Sequence, residues 1–141
     1  MRYWDASALV PLVISEPSSE TVRAWLSDDE RIVTWAWTRV EITSAVERRA
    51  RQGLLSRAQR RDALGRFEAL AETWDEVTDV LAVRSRAIPL LARHPLRAAD
   101  AAQLAAALLV SEQVVDGFAF VCLDETLTSA AEREGLRAHS L

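Results

Sequence analysis

The chain has 141 residues and a formal net charge of −4. That is enough to enclose one substantial core and too short for two ordinary domains, so residues 1–141 are expected to form a single domain. Half of the residues are hydrophobic and 27% are charged, a globular balance that excludes a disordered chain, while the acidic sum excludes a protein that grips nucleic acid by bulk positive charge.

The single cysteine, Cys122, rules out an internal disulfide and a metal–thiolate cluster, and nothing demands an oxidising compartment. Ala6 to Ile14 is nearly all apolar, yet Asp5 stands where a signal peptide needs positive charge, Pro11 interrupts the run and Glu16 closes it. No stretch approaches the ~20 apolar residues of a membrane span. A cytoplasmic location is expected.

Tyr3 to Asp5 reads as a short strand and Ser7 to Ser15 as a helix that tolerates Pro11. Pro17-Ser18-Ser19-Glu20 is a turn and N-cap, opening a helix with Val22, Trp25 and Leu26 on one face. Arg31 to Trp35 is a β-branched strand, after which Thr38 caps a helix that Gly53 stops. Ser56 caps the next helix, which runs to about Thr73, and Glu76 to Thr78 suits a short strand. A helix with Pro89 inside it leads to His94-Pro95, and Leu96 to Ala99 connects to an alanine-rich helix opened by Asp100. Phe118 to Leu123 is the clearest buried strand. A helix from Glu125 to Glu134 ends at Gly135, and Leu136 to Ala138 suits an edge strand. Strands alternating with helices predict an α/β/α sandwich on a short central parallel sheet.

Two predicted strands lead directly into an acid, Asp5 and Asp124, and in a parallel sheet both emerge at the edge where open α/β folds bind ligands. Asp100 heads a helix whose Leu104, Ala107 and Leu108 form an apolar stripe, and Glu41 lies one turn into its helix. Taken singly, Asp100 suits a helix dipole and Glu41 a solvated surface. Four carboxylates drawn together repel, and burial raises their pKa unless a cation is present. A hard divalent ion, Mg²⁺ or Mn²⁺, matches oxygen donors of this kind. His94, in a proline turn, and His139, near the C-terminus, suit surface or helix-end roles rather than zinc.

Ser7 offers a hydroxyl beside Asp5 or caps its helix. All 17 basic residues are Arg, and Arg48, Arg49, Arg51, Arg57, Arg60, Arg61 and Arg66 form a tract after Glu41. Any one of these suits a solvated face, but together, with Arg48 and Arg49 nearest, they suit phosphate contacts. Trp35 and Trp37 flank the turn before Glu41 within reach of a single strand, although packing in a core or dimer interface is the commoner use of tryptophan.

These segments resemble the PIN-domain ribonucleases, and among them the VapC-like toxins of toxin–antitoxin pairs. The matching stretches are Tyr3-Trp4-Asp5-Ala6-Ser7-Ala8-Leu9-Val10, Thr38-Arg39-Val40-Glu41-Ile42, Leu96 to Ala105 around Asp100, Val121-Cys122-Leu123-Asp124-Glu125-Thr126-Leu127, and Ala130 to Leu136. The resemblance implies a Mg²⁺- or Mn²⁺-dependent endoribonuclease with Asp5, Glu41, Asp100 and Asp124 as metal ligands. It also implies a homodimer inhibited by a cognate antitoxin protein, whose segment lies over the active site. Ala6 stands where the family often has Thr or Ser, and Pro11 where Lys is common; both changes touch substrate contacts rather than metal ligands.

Other folds that gather acids fit less well. A receiver-like phosphorylation domain needs a lysine, and a haloacid-dehalogenase-type phosphatase needs a second Asp where Ser7 stands. A Rossmann cofactor domain needs clustered glycines, and the four here are scattered. A PIN-like module that binds protein with little nuclease activity is the alternative from another class, and the presence of all four acids argues against it.

Overall fold

A computed structural model describes residues 1–141. Five short strands, β1 (Arg2–Trp4), β2 (Ile32–Trp35), β3 (Asp75–Val77), β4 (Ala119–Val121) and β5 (Ala138–His139), form one sheet in the order β3-β2-β1-β4-β5. Every pairing is parallel, with Tyr3 opposite Val33 on one side and Phe120 on the other. β1 is the central strand. The residues just after it are therefore flanked by the exits of both β2 and β4.

Strand alternation divides the apolar residues between two faces. Trp4, Ile32 and Val121 face one core together with Leu9, Val13, Ile42, Val46 and Phe67, supplied by α1 (Ala6–Val13), α2 (Ser19–Asp28), α3 (Thr38–Arg51) and α4 (Arg57–Ala71). Tyr3, Val33 and Phe120 face the other with Leu90, Leu104 and Leu127, from α5 (Val80–Arg93), α6 (Ala98–Ser111) and α7 (Glu125–Arg133). The predicted α/β/α sandwich on a parallel sheet is what forms. No helix is long and apolar enough to cross a membrane.

Several local expectations change. β4 holds three ladder residues rather than six, because the chain bends away after Val121 towards the N-terminus of α7. Asp5 and Asp124 consequently serve as the N-caps of α1 and α7 rather than as strand ends, each accepting a hydrogen bond from a first-turn N–H. α6 begins two residues before Asp100, which sits within its first turn.

Thr38 does not cap α3. Trp37 holds that position without a side-chain hydrogen bond, and the Thr38 hydroxyl turns inward. Ser18 makes no cap either; Ser19 instead accepts from the Glu16 N–H at 2.9 Å and donates to the Pro11 carbonyl at 2.7 Å, pinning α1 to α2. Ser56 does cap α4, in a reciprocal box with Gln59. Gly53 stops α3 with a φ of 74°, the left-handed conformation expected there.

Candidate active site

Asp5 is nearly sealed, at 4% exposure, where β1 passes into α1. Its Oδ2 accepts from the Ser7 N–H at 3.0 Å and the Ser7 hydroxyl at 2.5 Å, and the Cys122 thiol lies 3.6 Å away. Oδ1 accepts no hydrogen bond from the chain. Ser7 Oγ in turn accepts from the Leu123 N–H at 2.9 Å. Of the two roles read for Ser7, the structure realises the carboxylate contact, while the cap of α1 is Asp5 itself. The hydroxyl also locks the end of β1 to the loop leaving β4.

Burial, opposed by the Ser7 hydrogen bonds and reinforced by the charge of Asp100, raises the Asp5 pKa. The Cys122 thiol is pushed up to about 12, first by burial and then by Asp5. It stays protonated, and its S–H points a weak donor at the same carboxylate.

Glu41 projects from the first turn of α3. Burial foremost, then the charge of Asp5, lifts its pKa to about 7, against a hydrogen bond from Gln103 that favours the ionised form. Asp100 is raised by burial and then by the charge of Asp124, with Arg97 opposing. Asp124 is exposed, and its Oδ1 accepts from the Leu127 N–H at 2.7 Å. The four predicted acids thus form a chain of mutual electrostatic influence: Asp5 with Glu41 and Asp100, and Asp100 with Asp124. None of the four carries an ion pair, although Glu16, Glu47, Glu76, Glu112 and Glu134 each pair with an Arg. They do not converge on a point: no three Asp, Glu, His or Cys side chains stand close enough to enclose an ion unaided.

Sequence reasoning assigns no role to Gln103, a fully buried amide on the inner face of α6. Its Oε1 accepts from the Tyr3 hydroxyl at 2.7 Å, and its Nε2 donates to Glu41 Oε1 at 3.0 Å and Thr38 Oγ1 at 2.9 Å. Thr38 and Thr34 hydroxyls lie 2.8 Å apart, and Thr34 donates to the Trp4 carbonyl at 2.7 Å. Because Thr34 commits its only hydrogen to that carbonyl, Thr38 donates to Thr34, and the direction of the whole network is set. The one signal in the sequence is an amide three residues after Asp100, on the apolar stripe of an otherwise aliphatic helix.

A cleft of about 620 Å³ opens over two of these acids, Glu41 and Asp100, lined also by Ser7, Trp37, Arg48, Arg49 and Arg97, while Asp5 and Asp124 are not among its walls. Arg48 and Arg49 therefore lie where the sequence placed them. Arg49, however, is ion-paired with Glu16 and bonded to the Ala45 carbonyl. The rest of the predicted basic tract does not line this cleft; Arg60, for example, grips Glu47. Arg97, which composition does not single out, does. The histidine expectation needs correcting too: His94 ends α5 as read, but it is buried beside Glu134 rather than on the surface, and His139 belongs to β5 with its ring against Trp25.

The parallel sheet with acids gathered at the exits of its central strands defines a known class. The PIN domain profile matches residues 2–118, and the chain belongs to the PIN-domain family. Within that family it is similar to Ribonuclease VapC47 of Mycobacterium tuberculosis (strain CDC 1551 / Oshkosh). The two are 32% identical over 139 residues, covering 96% of this chain and 93% of that protein.

Proposed function

We propose that the chain is a Mg²⁺- or Mn²⁺-dependent endoribonuclease of the VapC type, hydrolysing RNA phosphodiester bonds as the toxin of a toxin–antitoxin pair. The observation that carries this reading is the electrostatic coupling of Asp5, Glu41 and Asp100, each with a raised pKa and none ion-paired, with Asp124 acting in turn on Asp100. Buried like charges of this kind are stable when a cation is present. The donors are all oxygen, which suits a hard divalent ion retaining several waters, and Oδ1 of Asp5 is open to it. Asp5, Glu41, Asp100 and Asp124 would hold the ion. When bound, it supplies charge stabilisation at a phosphodiester and acidifies water.

The protein's own contribution is positioning. Ser7 and Cys122 fix the Asp5 carboxylate from one side. Gln103, itself held by Tyr3, fixes Glu41 and opposes its protonation. Arg48 and Arg97, neither paired with an acid, offer phosphate contacts at the flanks of the cleft. This local arrangement suits a polyanion despite the net charge of −4.

The reading includes an antitoxin partner and a homodimer. A second hollow of about 440 Å³ adjoins the first through Glu16 and Arg49, with walls from Val13, Leu55 and Ala63, and suits a partly apolar partner segment. For a dimer, Val80, Leu81, Ile88 and Leu91 form an exposed stripe along α5, beside the buried line of Val83 and Leu90.

The decisive experiment incubates purified protein with RNA and Mn²⁺ beside an Asp5→Asn variant. Decay only with the native protein supports the reading; equal decay in both, or none in either, sinks it. For the toxin role, expression without a partner is expected to arrest growth, and unimpaired growth at good yield counts against it.

A further inference from the structure

Five tryptophans pose one question to the fold, and four are answered by packing. Trp4, Trp35 and Trp74 are buried, and Trp25 is half-buried against the ring of His139. Trp37 is not. It stands 60% exposed at the N-cap of α3 and lines the acidic cleft.

Local structure gives no reason for an indole there. An N-cap favours Ser, Thr, Asp or Asn, whose side chains satisfy a first-turn N–H, and Trp37 makes no such bond. Nor does it contribute to either core. What it does have is location. The Glu41 N–H donates to the Trp37 carbonyl at 3.2 Å, so the indole stands one helical turn before that carboxylate. Arg48 lies two turns beyond Glu41 on the same helix, and Arg97 stands at the start of α6, both lining the same cleft and neither paired with an acid.

The geometry points to a nucleobase subsite on Trp37, where the exposed indole stacks an unpaired base of single-stranded RNA while Arg48 and Arg97 contact phosphates further along the same strand in the cleft. This rests on the ribonuclease reading above and adds which side chain of the cleft takes a base of the substrate. An aromatic face beside free guanidinium groups is the combination that binds single strands, because every base offers a π-face and every linkage a charge. In an A-form duplex the bases are stacked on one another and offer no free face to an indole. A protein partner would account for the apolar Trp37 but gives no reason for two unpaired arginines beside it.

The test uses the full chain with Asp5→Asn, which prevents cleavage, and a labelled single-stranded oligoribonucleotide of about 12 nucleotides. Its affinity is measured by fluorescence anisotropy with Trp37 intact, with Trp37→Phe and with Trp37→Ala. Removing the indole is expected to weaken binding about 10- to 100-fold, with Phe retaining most of the affinity. A single abasic nucleotide, moved along the strand, is expected to weaken binding to the Trp37 protein by a similar factor at one position and to leave the Trp37→Ala affinity unchanged.

Equal affinity of the Trp37 and Trp37→Ala proteins overturns the subsite. If native protein with Mn²⁺ still cleaves RNA in that case, the ribonuclease reading stands alone; if it neither cleaves nor binds, both fall. Unchanged RNA affinity with a loss of dimer mass in light scattering assigns Trp37 to a protein interface and also overturns the subsite. Because the side chain is exposed, circular dichroism of Trp37→Ala is expected to match that of the native fold.

Discussion

Glu41 ties the stability of the protein to pH in a direction opposite to that of ordinary carboxylates. Its pKa rises from 4.5 to about 7 on folding, so between those values the folded state binds a proton that the unfolded chain has released. Stability therefore falls as pH rises through that interval. Integrated between pH 5 and pH 8, at about 1.36 kcal/mol per tenfold change in proton affinity, this amounts to about 2.5 kcal/mol. Asp5 and Asp100 are shifted in the same direction, so any part of their titration that reaches this interval adds to the fall and none opposes it. Glu47, Glu76 and Glu134 are lowered by their Arg partners or, for Glu76, by hydrogen bonds from Trp74 and Arg39 that outweigh its burial. Their contribution is complete above the ordinary carboxylate range and stays flat here. His139, lowered by burial, contributes a rise with pH that partly offsets the fall.

The comparison with Glu41→Gln isolates the effect, since the amide occupies the same volume and can still accept from Gln103. Urea unfolding in chelator at pH 5, 6, 7 and 8 is expected to show native stability decreasing by about 2–3 kcal/mol, with Glu41→Gln losing about 2.5 kcal/mol less. Added Mg²⁺ or Mn²⁺ is expected to recover stability in the native protein at pH 8 and much less in the variant. Native stability falling by the same amount in both proteins would refute the account of Glu41. Recovery by metal that is identical in both would refute its part in ion binding.

Two further outcomes are expected from contacts outside the acids themselves. Gln103→Leu leaves the Tyr3 and Thr38 hydroxyls short of a partner in the core, so it is expected to destabilise by about 2–4 kcal/mol in urea unfolding. It is also expected to shift the acidic limb of the RNA cleavage profile to higher pH, because Glu41 loses the donor that favours its ionised form; an unmoved limb in a folded variant would show that Gln103 only packs. If the proposed homodimer uses the exposed α5 stripe, Ile88→Arg in its middle is expected to give a monomer in light scattering with unchanged circular dichroism, and a dimer that survives it moves the interface elsewhere.

The fold and the four acids are legible in the sequence for one reason: both depend on the order in which strands give way to helices. Residues at the exits of adjacent parallel strands must share an edge, so Asp5 and Asp124 can be brought together from the sequence alone. Roles that depend on a side chain's direction are less accessible. Thr38 looks like a cap because threonine caps helices, yet its hydroxyl turns to Thr34 and Gln103. His94 ends its helix beside a proline as the sequence suggests, yet the ring is buried next to Glu134 rather than open to solvent. Composition overstates the extent of β4 for a similar reason: Phe118, Cys122 and Leu123 are as apolar as the ladder residues, so hydrophobicity does not mark where pairing stops. The partner of each Arg is equally hidden, and it separates Arg49, committed to Glu16, from the unpaired Arg48 and Arg97.

The placement of Gln103 bears on why the cleft tolerates its own charges. An acid in a partly buried site can relieve repulsion by protonating, and Glu41 lies close to doing so at neutral pH. Gln103 can oppose that because its amide has no other choice of direction. The Tyr3 hydroxyl occupies its oxygen, so its two N–H groups face Thr38 and Glu41. On the other side, Ser7 and the protonated Cys122 thiol oppose protonation of Asp5 in the same way. Each hydrogen bond favours an ionised carboxylate that burial disfavours; at Glu41 burial prevails and leaves the group close to half-ionised at pH 7. A second like charge would tip the balance towards protonation, whereas a divalent cation would tip it towards ionisation. The buried amide and the two small polar groups around Asp5 therefore act in the same direction, each favouring the ionised form of a carboxylate that burial pushes towards protonation.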